Sequence, residues 1–502
     1  MSKNLMGNYT KDYNVMDVND MLKKLSRYPM EERLGIMFNN SMKFINNSYS
    51  VVSTNEKNEV QPWEMDTFLL LCLMANNNTT PNTFNSKQGK REVYNILSNI
   101  RMEMECWDDF PKEHLVDVLL PAIANQQFPI QNYNFFYSTY RYLFIFNYNE
   151  KLKQEFLKKY QVEYEEIVIV FYLIGIIIAM DKYSPQIIQY IFQEKFLLCN
   201  NFSIELETLI EKQKLLTPNP EKYKYGLKLF NSYPFIIYND IYYLPLPHTL
   251  MSACTDSLLI RLTSENERND ELRKTFGEAF EKYLYKIIDD SKIYDKVIPE
   301  TLYYKNKRPI KSSDVIFTDN EHIVFVDAKL SQTSSKVKNI DLESIKKVAS
   351  QYAEGVVQLY KRMIEYPKTF NPFEFECEEN KKFGILACLE DSNIIRHQIY
   401  DIAFEMLKIE KGSETANFIK SNIAICGVSE LEKLIFNGQS IIPHLEYRRN
   451  NHSYTDYPLI NGDIQDKQGY KKSLKIKEFK DLLTTSIEPY VSDLIKKGYI
   501  KI

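Results

Sequence analysis

The chain has 502 residues, a hydrophobic fraction of 44% and a formal net charge of −4. This length exceeds what one ordinary core accommodates and predicts two or three domains. The near-neutral charge argues against a uniformly basic surface, although a local groove can still be basic. The seven cysteines are scattered and form no CxxC pair, which argues against a disulfide framework or a zinc site and predicts reduced thiols in a cytoplasmic protein.

Residues 1–255 are predicted to be mainly helical, and we expect this region to recognise a target or a partner. Its longest apolar run, 167–180, is shorter than the roughly 20 residues of a membrane span, so it predicts a buried helix. We therefore expect no membrane partner, while a homo-oligomer or a protein partner stays open. Helical spacing of apolar residues defines the predicted helices at 18–38, 63–74, 92–104 and 156–180.

An aromatic-rich segment at 132–148 admits two interpretations. Interleaved aromatic rings could stack on nucleobases. Ordinary packing between helices is the favoured interpretation, because Arg141 is the only basic residue in the segment.

From residue 264 the pattern changes to strands alternating with helices, which predicts an α/β domain over 256–450. Ser264 and Glu267 form a capping-box pattern that predicts a helix from there to about residue 289. A lysine-rich segment and a last helix are predicted within 451–502. Further strands are predicted at 296–298, 314–317, 322–330, 383–388 and 423–428, and further helices at 342–365, 394–408 and 429–436.

Two of these strands carry acidic residues at positions that invite a chemical explanation. Side chains alternate across a strand, so Asp327 and Lys329 share one face. A four-residue turn at 319–322 would set Asp314 directly opposite Asp327, and any even turn length keeps both acids on that face. An odd turn length would separate them.

Directly opposed residues in a sheet have Cβ atoms about 5 Å apart, where like charges are destabilising. A hard divalent cation would explain the pair, because Mg²⁺ takes oxygen ligands and is typically held by one or two carboxylates together with substrate phosphate. Such a cation lowers the pKa of an attacking water and stabilises the charge that develops on phosphate. Lys329 could contact that phosphate or orient the water.

The helix that begins this region supplies a further acid. Glu281 lies about 100° from Phe280, at the edge of the stripe expected to face the sheet. Glu278, one turn earlier, is the rival candidate. Gly277 is expected to let the helix approach the sheet closely.

This arrangement resembles the PD-(D/E)XK nuclease superfamily. The matching pieces are GEAFE at 277–281, SDVIF at 313–317 and VFVDAK at 324–329, within a resemblance that covers about residues 264 to 430. The resemblance implies a restriction-endonuclease-like fold with a mixed sheet and Mg²⁺, or Mn²⁺, as cofactor. The implied metal ligands are Asp314, Asp327, the carbonyl of Ala328 and Glu281, and the implied catalytic lysine is Lys329.

The chain departs from the family pattern at two places. Ser313 stands where members usually carry a proline. Some members carry a glutamine on the helix after the second acidic strand, and Gln351 and Gln358 are candidates, although neither fits a Gln-xxx-Tyr spacing.

Basic residues precede the first acid and could contact a nucleic-acid backbone, which is recognised through phosphate without regard to sequence. They are Lys305, Lys307, Arg308 and Lys311. The predicted function is Mg²⁺-dependent hydrolysis of phosphodiesters in DNA, in antiviral defence or repair. A nucleic-acid-binding or assembly protein that keeps the fold without cutting, and a nuclease that acts on RNA, are the alternatives.

Overall fold

A computed structural model describes the chain over the following residues: 16–36, 38, 62–76, 82–102, 134–216, 228–264, 270–330, 341–366, 368–373, 376–390, 396–451, 459 and 474–500. The described chain is mostly helical, and it contains sheets of both parallel and antiparallel strands. None of the helices in these ranges is long and apolar enough to cross a membrane.

The region before residue 255 is mainly helical, as predicted, and it also holds a small sheet that was not predicted. Pro29 divides the predicted helix at 18–38 into two, because proline disrupts a helix interior. The helices are α1 (Val18–Leu25), α2 (Met30–Gly35), α3 (Pro62–Met74), α4 (Lys87–Met102), α5 (Phe135–Phe146), α6 (Glu150–Tyr160), α7 (Tyr164–Ala179), α8 (Pro185–Glu194), α9 (Phe196–Phe202), α10 (Leu206–Leu216) and α11 (Thr249–Ala253). The sheet contains β1 (Ser203–Glu205), β2 (Phe235–Tyr238) and β3 (Ile241–Tyr243).

The entry to the second region is described only in part. Ser264 is the last described residue of helix α12 (Asp256–Ser264), and the next helix is described from Asp270, as α13 (Asp270–Ser291). Glu267 lies outside the described residues, so the capping box of Ser264 and Glu267 stays a prediction. The remaining helices are α14 (Leu342–Glu365), α15 (Arg396–Leu407), α16 (Glu414–Asn422), α17 (Val428–Phe436), α18 (Ile442–Asn450) and α19 (Leu474–Lys496).

A mixed five-stranded sheet forms the centre of this region, in agreement with the predicted α/β domain. Its strand order is β10-β9-β8-β7-β4. The pairs of β7 with β4 and β8 are antiparallel, and β8, β9 and β10 run parallel, with α14 as the crossover from β8 to β9. Its strands are β4 (Lys296–Pro299), β7 (Val315–Thr318), β8 (Ile323–Lys329), β9 (Lys382–Cys388) and β10 (Ile423–Gly427).

The segment between β4 and β7 forms a separate hairpin, β5 (Leu302–Lys305) and β6 (Arg308–Lys311), which was not predicted. Asn306 and Lys307 form its two-residue turn with φ of 50° and 64°. Positive φ at both central residues is the geometry that joins hairpin strands tightly.

Both faces of the main sheet are covered, which explains its continuous apolar runs. Val324 and Val326 face a large core that also contains Phe276 and Phe280 of α13. The opposite face, including Phe325, packs against α14.

The aromatic-rich helix α5 belongs to the same large core as α13. Tyr142 and Phe146 are buried, and the ring of Phe146 packs edge-on against Phe276 at 6.0 Å. This packing confirms the structural interpretation of the segment. Because the core draws residues from both sides of position 255, the predicted boundaries between 1–255, 256–450 and 451–502 stay predictions.

Candidate active site

The β7–β8 hairpin has the register that places both predicted acids together. Thr318 pairs with Ile323 and Val315 pairs with Val326, so the turn is the four-residue segment 319–322. Asp319 closes this turn by accepting hydrogen bonds from the backbone N–H groups of residues 321 and 322 at 3.0 and 2.7 Å. The predicted even turn is confirmed, and the same register continued by one residue sets Asp314 opposite Asp327.

Asp314 lies immediately before β7 and is partly buried. Its Oδ2 accepts a hydrogen bond from the backbone N–H of Ala328 at 2.7 Å, which ties the two strands together at this end. Burial, with the negative charges of Asp327 and Glu281 next, raises the pKa of Asp314 from 3.8 to about 8. The carboxylate therefore lies in a field that favours either a proton or a cation.

Asp327 is the most enclosed of the predicted site residues, with 4% of its surface exposed. Burial raises the pKa of its carboxyl group. The charge of Arg362 opposes that shift, followed by the neighbouring hydroxyl of Ser313, the charge of Lys329 and the backbone N–H of Asp314. Its Oδ2 accepts a hydrogen bond from Nη1 of Arg362. Its Oδ1 is buried without a hydrogen-bond partner among the described residues, a rare condition for a buried polar atom.

Glu281 lies on α13 with its side chain partly buried, whereas Glu278 is exposed. Burial and then the negative charge of Glu300 raise the pKa of Glu281. Because Glu281 also contributes to the raised pKa of Asp314, the structure favours Glu281 over its rival. A Cβ at Gly277 would have no neighbour within 4 Å, so the predicted close approach at this glycine is wrong.

Lys329 ends β8 beside a glycine of α14. A Cβ placed at Gly355 would lie 3.1 Å from Cε of Lys329 and 2.7 Å from Cδ1 of Leu386. Both distances are too short for an ordinary contact, so the absence of a side chain at Gly355 lets the lysine pass along the helix. No local pattern in the sequence predicted that Lys329 depends on this glycine.

The predicted nucleic-acid contacts divide into two groups. Lys305 forms an ion pair with Glu365 at 2.5 Å, and Lys311 forms one with Glu300 at 2.9 Å. Lys307 and Arg308 are exposed at the hairpin turn, and no ion pair holds either of them within the part of the chain that the structure describes.

The predicted glutamines lie on α14. Gln351 and Gln358 are both exposed, and Gln358 lies one turn before Arg362. The structure gives Gln358 no contact with the acids, so a role for it in binding nucleic acid stays a prediction.

Two residues of the site were missed by sequence reasoning. Arg362 contacts Asp327 from a helix that begins after β8, and Glu300 follows β4 and raises the pKa of Glu281. Glu300 could have been noticed as an acid that ends a predicted strand. Arg362 had no comparable local signal.

The chemistry of the donors fits a hard divalent cation in part. Asp314 and Asp327 provide carboxylate oxygens, and Oδ1 of Asp327 lacks a partner. Mg²⁺ commonly keeps several waters and needs only one or two carboxylates from the protein. Within the described ranges, however, no three or more His, Cys, Asp or Glu side chains are grouped closely enough to hold a metal ion.

Comparisons with known proteins identify no family for this chain, so the interpretation of the site depends on its geometry. No family model and no curated protein matches the chain. Among solved structures, the small subunit of the heterodimeric restriction endonuclease R.BspD6I is similar with a TM-score of 0.20 and 11% identity, over 41% of this chain and 88% of that chain. A TM-score of this size carries no argument for fold or activity.

Proposed function

We propose that the chain is a metal-dependent nuclease that hydrolyses phosphodiester bonds in DNA, on a restriction-endonuclease-like fold. The observation that carries the proposal is the pair of opposed carboxylates, Asp314 and Asp327. A buried oxygen of Asp327 has no partner among the described residues, and Lys329 lies on the same face of the strand. Buried like charges are unfavourable in a purely structural role.

In this proposal, Asp314 and Asp327 hold Mg²⁺ or Mn²⁺, with the carbonyl of Ala328 as a further ligand. Because the three acids are not grouped closely enough to ligate one cation together, Glu281 would act at this site through a bound water. When bound, the cation would supply Lewis-acid stabilisation of charge on the phosphate and a lowered pKa for water. Lys329 contributes an ammonium group that orients the scissile phosphate. The backbone N–H of Ala328 fixes the orientation of Asp314.

The substrate would approach over the β5–β6 hairpin, where Lys307 and Arg308 are exposed. Contacts of these side chains with phosphate would be independent of sequence and sensitive to salt. We further propose a role in antiviral defence or repair in the cytoplasm, with the helical region before residue 255 binding a target, a second copy or another protein.

One observation favours a second function, a nucleic-acid-binding or assembly protein that does not cut. Arg362 already compensates the charge of Asp327, so this acid can be accommodated without a metal ion. Against this alternative, Arg362 contacts only one oxygen of Asp327 and leaves Oδ1 without a partner.

Cleavage assays separate these functions. The purified protein is incubated with linear, circular and single-stranded DNA and with RNA, in Mg²⁺ or in EDTA, beside Asp327→Ala and Lys329→Ala. The proposal expects cleavage of DNA in Mg²⁺ that both substitutions and EDTA abolish. Cleavage that persists in either variant would refute the site, binding without cleavage would favour the second function, and cleavage of RNA alone would change the substrate class.

A further inference from the structure

Within the described part of the chain, Arg362 is the cation that donates a hydrogen bond to one of the proposed metal ligands. Its Nη1 donates to Oδ2 of Asp327, and the side chains of Arg362 and Asp327 are 21% and 6% exposed. The side chain of Arg362 is therefore partly exposed, whereas that of its carboxylate partner is buried.

The charge of Arg362 extends beyond this single contact. It also acts on Asp314, on Glu365 and on the hydroxyl of Tyr303, whose pKa values it lowers. Along α14, Arg362 lies seven residues after Gly355, so both face the same side of the helix, where Lys329 passes. The guanidinium therefore occupies the side of the sheet on which the acids and the lysine meet.

We infer that Arg362 is a placeholder cation: it neutralises Asp327 in the metal-free protein, is displaced when a divalent cation binds, and then contacts the substrate phosphate. This inference rests on the proposed function. A cation that uses both oxygens of Asp327 must compete with the guanidinium for Oδ2, since Oδ1 alone is free. The released guanidinium has a planar fork of donors that matches phosphate oxygens.

Replacement of Arg362 by a neutral residue should change the affinity for the metal ion and the affinity for nucleic acid in opposite directions. Loss of the positive charge at Arg362 removes a competitor, so the affinity for the metal ion should rise. The same loss removes a phosphate contact, so affinity for nucleic acid at saturating metal should fall. A residue that merely supported the fold would weaken both.

The test uses the full chain and Mn²⁺ as the probe. Isothermal titration without nucleic acid compares wild type with Arg362→Met, Arg362→Gln and Arg362→Lys. Lys361→Met is the matched control, because Lys361 is exposed on the neighbouring side of the same helix turn. We expect Mn²⁺ to bind about tenfold more tightly to the two neutral variants and nearly unchanged to the lysine variant and the control. Arg362→Gln keeps hydrogen-bond donors and serves if Arg362→Met does not fold.

Binding of a DNA duplex is then measured at saturating Mn²⁺, with Lys329→Met added to every protein to prevent cleavage. We expect the neutral variants to bind the duplex about tenfold more weakly, as for the loss of one charged hydrogen bond. Mn²⁺ affinity that is unchanged or reduced in both neutral variants would overturn the inference. Two further results show which proposal has failed in that case. If wild type cuts DNA and Asp327→Asn loses Mn²⁺ binding, only the role of Arg362 is refuted. If no protein binds Mn²⁺ or cuts DNA, the proposed function is refuted as well.

Discussion

Two arginine–carboxylate pairs with buried carboxylates show how similar chemistry serves different ends in this molecule. Arg141 of α5 and Glu432 of α17 lie 2.8 Å apart with side chains 4% and 1% exposed. The hydroxyl of Tyr283 donates to the second oxygen of Glu432 at 2.6 Å. Both oxygens of this carboxylate are therefore used, and the three residues join three helices in one core.

The pair of Arg362 and Asp327 is built differently. One oxygen of Asp327 has no partner among the described residues, and the charge of Asp327 helps to raise the pKa of the opposed acid Asp314. The difference between the two pairs indicates that burial of a charged carboxylate is not by itself a sign of function. An incompletely bonded carboxylate among like charges is the informative feature.

The largest effect on stability is expected at the pair of Arg141 and Glu432. Arg141→Met leaves Glu432 buried without its counter-ion, which costs about 3–5 kcal/mol in the free energy of unfolding. Urea denaturation measures this loss. Arg362→Met should lower the free energy of unfolding clearly less, because Arg362 is more exposed. Equal losses of stability at the two arginines would contradict the difference between the two pairs.

A smaller structural cost and a specific functional one are expected at Gly355. Gly355→Val places carbon atoms against Leu386 and Lys329, and overpacking of this kind costs about 1–3 kcal/mol. Because Lys329 is displaced, the rate of cleavage per folded molecule should also fall, which the loss of stability alone would not cause. Gly277→Ala is the control, since open space around Gly277 and the better helix propensity of alanine should stabilise α13 by up to about 1 kcal/mol. Normal cleavage by a folded Gly355→Val protein would contradict the placement of Lys329.

The pH dependence of stability tests the field around Asp314. Its folded pKa of about 8 exceeds the usual 3.8, so the native state binds the proton more tightly and loses stability as the pH rises towards 8. Asp314→Asn mimics the protonated group and should remove this loss. In EDTA, we expect the variant to gain at least about 1 kcal/mol over wild type between pH 5 and pH 8.5 in chemical denaturation. If the stabilities of wild type and Asp314→Asn change with pH in the same way, the raised pKa of Asp314 is contradicted.

The smallest effects are expected at the hairpin turn. Lys307→Asn with Arg308→Met removes two exposed charges, and asparagine suits the positive φ of 64° at position 307. Salt titrations of DNA binding should show a slope lower by about 2. Lys305→Met with Lys311→Met is the comparison, because internal ion pairs already engage those lysines. A larger change in the slope after loss of Lys305 and Lys311 would contradict the assignment of Lys307 and Arg308 as the phosphate contacts.

The sequence predicted the hairpin that carries both acids because alternation and turn length are local properties. Thr318 opposite Ile323 follows from an even turn, and the apolar runs of β8 and β9 identify strands covered on both faces. The hairpin β5–β6 escaped prediction, since its residues are short of apolar alternation and its turn lacks glycine.

Tertiary partners account for the rest of what was missed. Arg362 follows Asp327 by 35 positions and meets it only through the crossover of α14 over the sheet. The partners of Lys305 and Lys311 are likewise set by the fold, so a cluster of basic residues in the sequence could not reveal which of them remain exposed.

The most direct test of the central claim is the rate of DNA cleavage per folded molecule in Mg²⁺ for wild type and Asp327→Asn. Asparagine keeps the size of the side chain and removes the charge that would hold the cation. We predict cleavage by wild type that EDTA stops, and a loss on the order of 100-fold or more in the variant without loss of fold. Equal cleavage by the two proteins would contradict the account.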